Sequence, residues 1–80
     1  MRIKVTKQAR RHKISKTRMY AAMSNEPVES FVNERNEIEH RWRAETDGFE
    51  IEVTAVETTD DRTGDAVLLV VHAMPTDFRN

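Results

Sequence analysis

Apolar and polar residues alternate over residues 1–6, and a period of two is typical of a strand with one buried face. Residues 7–25 then contain no glycine or proline and are rich in Ala, Arg, Lys and Met, which favour helix. The pattern predicts a first strand followed by two short helices. We expect the helices to be divided at Ile14 and Ser15, with the Ser15 side chain capping the second.

A break follows at Pro27, because proline disfavours the helical conformation in the residue before it. Beyond the break, Val28, Phe31 and Val32 show helical spacing, but the segment is short and acidic. We therefore expect residues 28–36 to form a loop with at most one helical turn.

Two stretches of strict alternation flank Asp47 and Gly48, the preferred dipeptide of a two-residue hairpin turn. The pattern predicts a β-hairpin with Trp42 as a core anchor on its apolar face. Folding the chain about the turn predicts these opposite pairs: Thr46 and Phe49, Ala44 and Ile51, Trp42 and Val53, Arg43 and Glu52, Arg41 and Thr54.

Residues 66–74 form a nearly continuous apolar run, which is typical of a strand buried on both faces and therefore central in its sheet. The predicted order is a strand, two short helices and three strands. This order predicts a single α+β domain over residues 1–80. In it, the helices pack on one face of a four-stranded sheet, and the last three strands form an antiparallel meander.

Charge is divided unevenly along the chain, although the net charge of the 80 residues is only −1. Residues 1–25 contain eight Lys or Arg and no acid, whereas residues 26–80 contain all 14 acids and five Arg. A basic segment of this density is typical of a surface that binds a polyanion. The alternative is a basic face that the acidic sheet neutralises within the molecule, and the sequence leaves both open.

The candidate nucleic-acid-binding groups lie in the first predicted helix. They form a dense cluster of donors: Lys7, Arg10, Arg11, His12 and Lys13. On a helix, residues three or four apart share one face, so pairs such as Arg10 and Lys13 could contact adjacent phosphates.

The candidate catalytic groups are one histidine and two arginines, residue types that can act on a phosphodiester without a metal. A metal-free ribonuclease needs a base for the 2′-hydroxyl, a group that stabilises the phosphorane and an acid for the leaving oxygen. We predict His72, Arg11 and Arg79 for these roles. The alternative for His72 is a hydrogen-bonded core histidine, and His40 is expected to pack against the helices.

Other kinds of site find little support in the residue content. The chain has no cysteine, which excludes disulfides and thiolate sites. The three histidines are too widely spaced for a metal motif, so neither a metal nor another cofactor is expected. The serines lie in predicted helix or loop contexts, and no Ser–His–Asp constellation is predicted: Ser15, Ser24 and Ser30.

No apolar run approaches the length of a membrane span, and no signal-peptide pattern opens the chain. We therefore expect a cytoplasmic protein without a membrane partner.

Two stretches carry a family resemblance: I-x-V-T-x-x-A-R-R-H-K-I-S at residues 3–15 and VVHAMPTDFR at residues 70–79. Together with the predicted element order, they resemble the small toxins of bacterial toxin–antitoxin modules in the RelE/ParE superfamily, including its BrnT-like branch. The resemblance implies a metal-independent ribonuclease that acts on messenger RNA, often at the ribosome, and that a cognate antitoxin neutralises. Carried over by position, its site residues are Lys7, Arg10, Arg11, His12, His72 and Arg79.

Two other readings of the charge pattern stay open. The basic segment of a non-enzymatic binding module would contact an acidic protein or a nucleic acid backbone without chemistry. In a homodimer or other homo-oligomer, the basic part of one copy would meet the acidic sheet of another.

Overall fold

A computed structural model describes residues 2–76, which form a mixed five-stranded sheet, one α-helix and a 3-10 turn. The elements in chain order are β1 Arg2–Val5, the 3-10 turn Gln8–Arg10, α1 Lys16–Met23, β2 Glu29–Val32, β3 Ile38–Thr46, β4 Phe49–Thr59 and β5 Ala66–Pro75. The strands lie in the order β1-β5-β4-β3-β2. β1 is parallel to β5, and the other neighbouring strands are antiparallel.

The predicted α+β fold, with two short helices on a four-stranded sheet, is wrong. Strands hold 51% of the described residues and helical turns only 16%. The first predicted helix is reduced to the 3-10 turn because Lys13 adopts a left-handed backbone conformation, with φ 59°, which a right-handed helix cannot contain. The division before the second helix is confirmed, since the Ser15 hydroxyl accepts the N–H of Arg18 at 3.2 Å.

The additional strand is β2, which lies where the sequence pattern predicts a loop with at most one helical turn. It pairs antiparallel with β3 at the edge of the sheet. The connection over residues 33–36 is tight because the side-chain oxygen of Asn33 accepts the N–H groups of Arg35 and Glu37, at 2.9 and 3.0 Å. This asparagine turn supplies the chain reversal that lets β2 fold back on β3.

The predicted hairpin is confirmed in β3 and β4. Asp47 and Gly48 have φ values of 50° and 93°, as a two-residue turn with left-handed central residues requires. The observed register contains every predicted pair: Thr46 and Phe49, Ala44 and Ile51, Trp42 and Val53, Arg43 and Glu52, Arg41 and Thr54.

α1 and the 3-10 turn cover one face of the sheet, and the core lies between the two layers. Its buried residues come from both: Ala9, Ile14, Met19, Ala22, Trp42, Ile51, Val53, Ala55, Val70 and Ala73. The indole of Trp42 is 5% exposed and donates to the carbonyl of Asn25 at 3.0 Å. This confirms Trp42 as the predicted core anchor.

β5 is an interior strand between β1 and β4, whereas the middle position that the sequence predicts for it belongs to β4. Its register with β4 shifts between Thr54 and Ala55, which pair with His72 and Val70 respectively. Val71 is the extra residue of this bulge, and a bulge bends its strand and redirects the neighbouring side chains. Within residues 2–76, no helix has the length and apolar character needed to cross a membrane.

Candidate nucleic-acid interface

Five exposed cations lie between β1 and the start of α1, and we call them the cationic segment: Lys7, Arg10, Arg11, Lys13 and Lys16. The backbone there is attached to β5 through Thr6, whose N–H and hydroxyl donate to the carbonyl of Val70 at 3.1 and 3.0 Å. The same hydroxyl accepts the N–H of Ala9 at 3.2 Å, and Ala9 is fully buried in the core. The backbone is therefore anchored while the charged side chains remain exposed.

The predicted helical spacing of these cations does not form. The 3-10 turn ends at Arg10, and the N–H of Lys13 closes a turn onto the carbonyl of Arg10 at 3.0 Å. With Lys13 in the left-handed region, the two side chains do not occupy successive turns of one α-helical face. The cations share a short exposed stretch of chain instead of a helix surface.

The eight basic residues of the first 25 fall into two groups. Arg2 and Lys4 approach the carboxylate of Asp60 at 3.6 and 3.1 Å. Arg18 approaches Asp47 at 3.1 Å. Within residues 2–76, the five cations of the cationic segment form no ion pair. Acids within residues 2–76 therefore pair with three of these eight basic residues.

The Asp60 carboxylate forms ion pairs with the two cations of β1, Arg2 and Lys4. The backbone N–H of Arg62 donates to it at 2.8 Å, and the ammonium of Lys4 does so at 3.1 Å. In that order of importance, these two hydrogen bonds hold the pKa of Asp60 below its ordinary value. Asp60 thus remains ionised in mild acid and stays paired with Arg2 and Lys4. The cations that remain for the candidate interface are those of the cationic segment.

Two of the predicted site residues meet beside this segment. The rings of His12 and His72 lie edge to face with their centroids 6.2 Å apart, and both residues are half-buried. His12 follows the 3-10 turn, and the bulge at Val71 precedes His72 in β5. Sequence spacing could not show this contact, because the two imidazoles are 60 positions apart in the chain.

Of the other two predicted catalytic residues, Arg11 lies in the part of the chain that the structure describes. Arg11 is exposed and directly precedes His12 in the chain. Arg79 lies outside the described residues. An imidazole pair with a neighbouring guanidinium supplies the kinds of groups that phosphodiester chemistry requires.

A second constellation lies toward the opposite edge of the sheet, and the sequence did not predict it. Ser30 Oγ lies 2.7 Å from His40 Nδ1, and His40 Nε2 lies 2.7 Å from Oε2 of Glu57. The prediction that Ser30 lies in a loop is wrong, since Ser30 belongs to strand β2, and for that reason the sequence did not indicate this constellation. The strand pairing places Ser30 opposite His40, and continued alternation of β4 beyond residue 55 was the signal for Glu57.

Within residues 2–76, no cluster of three or more histidine, aspartate and glutamate side chains could hold a metal ion. No protein-family model, curated protein sequence or solved structure matches the chain.

Proposed function

We propose that the chain binds RNA through the cationic segment and cleaves it without a metal at His12 and His72. This is the activity of a cytoplasmic toxin of the RelE/ParE kind. One observation carries the proposal: five exposed cations without ion pairs among residues 2–76 lie beside two imidazoles 6.2 Å apart. A polyanion supplies the counter-charge that the described part of the chain does not.

Binding by the cationic segment is electrostatic and sequence-independent in its main part. Phosphate contacts position a nucleic acid, and they release counterions when they form. If all five cations engage single-stranded RNA, the logarithm of the association constant falls with the logarithm of salt with a slope of about −3.5. Arg10 and Arg11 can each contact a phosphate through two parallel N–H groups.

Cleavage would use the two imidazoles in opposite protonation states. The neutral imidazole takes the proton of the 2′-hydroxyl, and the 2′-oxygen attacks phosphorus. The bond from phosphorus to the 5′-oxygen breaks, and the protonated imidazole gives its proton to that leaving oxygen. The products are a 2′,3′-cyclic phosphate and a free 5′-hydroxyl, so atoms and charges balance.

Arginine contributes charge stabilisation in this scheme. The guanidinium of Arg11 would offset the charge that develops on the phosphorane oxygens, and Arg79 is proposed for the same task. An acidic segment of a cognate antitoxin would inhibit by covering the same cations. The same site would accept free RNA or RNA bound to the ribosome as its substrate.

The test is a cleavage assay on single-stranded RNA in excess EDTA, combined with growth on induction. We expect the intact protein to produce cyclic-phosphate ends and to arrest growth. His72→Ala and His12→Ala should each lower the cleavage rate on the order of 10²-fold or more. Arg62→Ala is the control, because Arg62 is an exposed cation of the β4–β5 loop outside the cationic segment.

The alternatives from the charge pattern are distinct outcomes of the same experiment. RNA binding with a steep salt dependence but no cleavage would identify a non-enzymatic binding module. A dimer in light scattering that dissociates at high salt, without RNA binding, would identify self-association of basic and acidic surfaces. Harmless expression together with salt-independent RNA binding would overturn the proposal altogether.

A further inference from the structure

We propose that Ser30 is an activated nucleophile for acyl transfer, with His40 as its general base and Glu57 as the residue that positions the imidazole. The three side chains form a continuous hydrogen-bonded chain with both contacts at 2.7 Å. Nucleophile, base and orienting acid in this order are the requirement for serine activation. This site lies toward the β2 edge and shares no residue with the proposed RNA site.

Strand pairing explains why the three groups meet. Ser30 and His40 are direct partners in the β2–β3 ladder. His40 is paired with Ala55 of β4, and Glu57 is two residues further along the same face of that strand. The constellation is therefore built on three adjacent strands, which place side chains more accurately than loops do.

The hydrogen bonds also define which ring nitrogen accepts the serine proton. The ionised carboxylate of Glu57 can only accept a hydrogen bond, so Nε2 carries the hydrogen of a neutral ring. Nδ1 is then the acceptor that faces the Ser30 hydroxyl. This is the tautomer in which an imidazole can act as a base toward serine.

The imidazole is held in place on a further side by Trp42, whose ring centroid lies 5.6 Å from that of His40. The His40 side chain is only 19% exposed, whereas Ser30 is exposed. A fixed base beneath an accessible hydroxyl is the arrangement that a nucleophilic serine needs.

The edge position of β2 supplies a donor for the oxyanion. Hydrogen bonds toward the partner strand alternate along an antiparallel ladder. Because the N–H of Asn33 donates to Glu37 across the β2–β3 connection, the N–H of Ser30 points to the free edge. An N–H that points away from the neighbouring strand can donate to the oxygen of a bound carbonyl.

The reaction is transfer of an acyl group from a small ester. Ser30 Oγ bonds to the carbonyl carbon while its proton moves to Nδ1 of His40. The ester C–O bond then breaks, and the leaving oxygen takes that proton, so an acyl-serine and an alcohol are formed. Water then attacks the carbonyl carbon of the acyl-serine and gives a proton to Nδ1 of His40. The bond from that carbon to Ser30 Oγ breaks, Oγ takes the proton, and the carboxylic acid is released.

The experiment uses an alkyl fluorophosphonate, which forms a serine–phosphorus bond and releases fluoride, followed by mass mapping of the adduct. We expect a single adduct on Ser30, none in Ser30→Ala, and an unchanged labelling rate in Ser24→Ala. Ser24 is the matched control because it is exposed and its hydroxyl donates to a helix carbonyl, that of Ala21, with no histidine contact among the described residues. His40→Ala should slow labelling on the order of 10²-fold or more.

Glu57 is tested separately, because a positioning role predicts a graded response. Glu57→Gln should lower the labelling rate at least tenfold with the thermal midpoint unchanged, and Glu57→Asp should recover part of the rate. Lack of an adduct on Ser30 in the folded protein would overturn the proposal. So would equal labelling of Ser30 and Ser24. Hydrolysis of p-nitrophenyl acetate should follow the same order of variants, and RNA cleavage should be unaffected by Ser30→Ala.

Discussion

The β3–β4 hairpin and the cationic segment are both densely charged, yet they use their charges in different ways. In the hairpin, Arg43 contacts Glu52 across the strands at 3.3 Å, and Arg41 contacts Glu29 and Glu39, each at 3.4 Å. In the cationic segment, no cation forms an ion pair within residues 2–76. Charges in the hairpin therefore belong to the pairing of strands, whereas those in the segment can be removed without breaking a described contact.

The two regions also differ in what supports their backbones. The hairpin lies inside the sheet between β2 and β5, and its apolar face forms part of the core. The cationic segment depends on a few anchors at Thr6 and Ala9. Changes in the hairpin should therefore alter folding, and changes in the segment should alter binding.

The largest effect is expected for Trp42→Ala. The substitution removes a side chain that is 5% exposed together with its hydrogen bond to Asn25, and such truncations cost about 3–5 kcal/mol. Chemical denaturation monitored by circular dichroism measures the change. Tyr20→Ala is the aromatic control, because Tyr20 is 40% exposed on α1. Equal losses in both variants would contradict the assignment of the core.

A smaller loss is expected for Gly48→Ala in the hairpin turn. Gly48 has φ 93°, a conformation that costs a residue with a Cβ atom about 1–2 kcal/mol. Gly48→Asn should cost less, since asparagine tolerates left-handed conformations better. Thermal unfolding of the two variants compares them, and an alanine variant as stable as the wild type would show that the turn is not strained.

Asp60→Asn should produce a pH-dependent change. The lowered pKa of Asp60 means that its ionised form stabilises the fold above the carboxyl group's ordinary pKa of about 3.9. That contribution is lost as pH falls through the lowered pKa of the folded state. The wild type should therefore be more stable than the variant at neutral pH, and the difference should shrink in acid. Asp61→Asn is the neighbouring control, and a pH-independent difference would contradict the assignment.

The smallest change in stability is expected when Arg10, Arg11 and Lys13 are all replaced by Ala. Each exposed substitution should change the free energy of unfolding by less than about 0.5 kcal/mol. Binding should respond strongly: the slope of log association constant against log salt should move from about −3.5 to about −1.4, since two cations remain. Fluorescence anisotropy with labelled RNA over a salt series measures the slope. An unchanged slope would place the RNA elsewhere.

The contrast between the two regions also explains how far the sequence predicts the fold. In the hairpin, the alternation, the Asp47-Gly48 turn and the cross-strand pairs all indicate one register, and that register is observed. In residues 7–13, helix-forming side chains favour a helix, but the left-handed Lys13 and the burial of Ala9 against β5 override that preference. Local propensity decides structure only where tertiary packing agrees with it.

The candidate sites were predicted less completely for the same reason. His12 and His72 were both identified, but their contact depends on the bulge at Val71 and on packing between distant parts of the chain. β2 was missed because Phe31 and Val32 share a helix-like spacing with Val28, and strand pairing decides between the alternatives. Without β2 in the prediction, Ser30 has no visible relation to His40.

The short pairing between β1 and β5 has a consequence for the behaviour of the protein in solution. β1 pairs with β5 only from Val67 to Val70, so β1 supplies no partner for residues 71–75, and the 3-10 turn packs against β5 instead. The cationic segment lies beside this part of β5, and its like charge repels a second copy of the chain. A polyanion bound there removes this repulsion, so saturation with RNA should lower the colloidal stability of the protein.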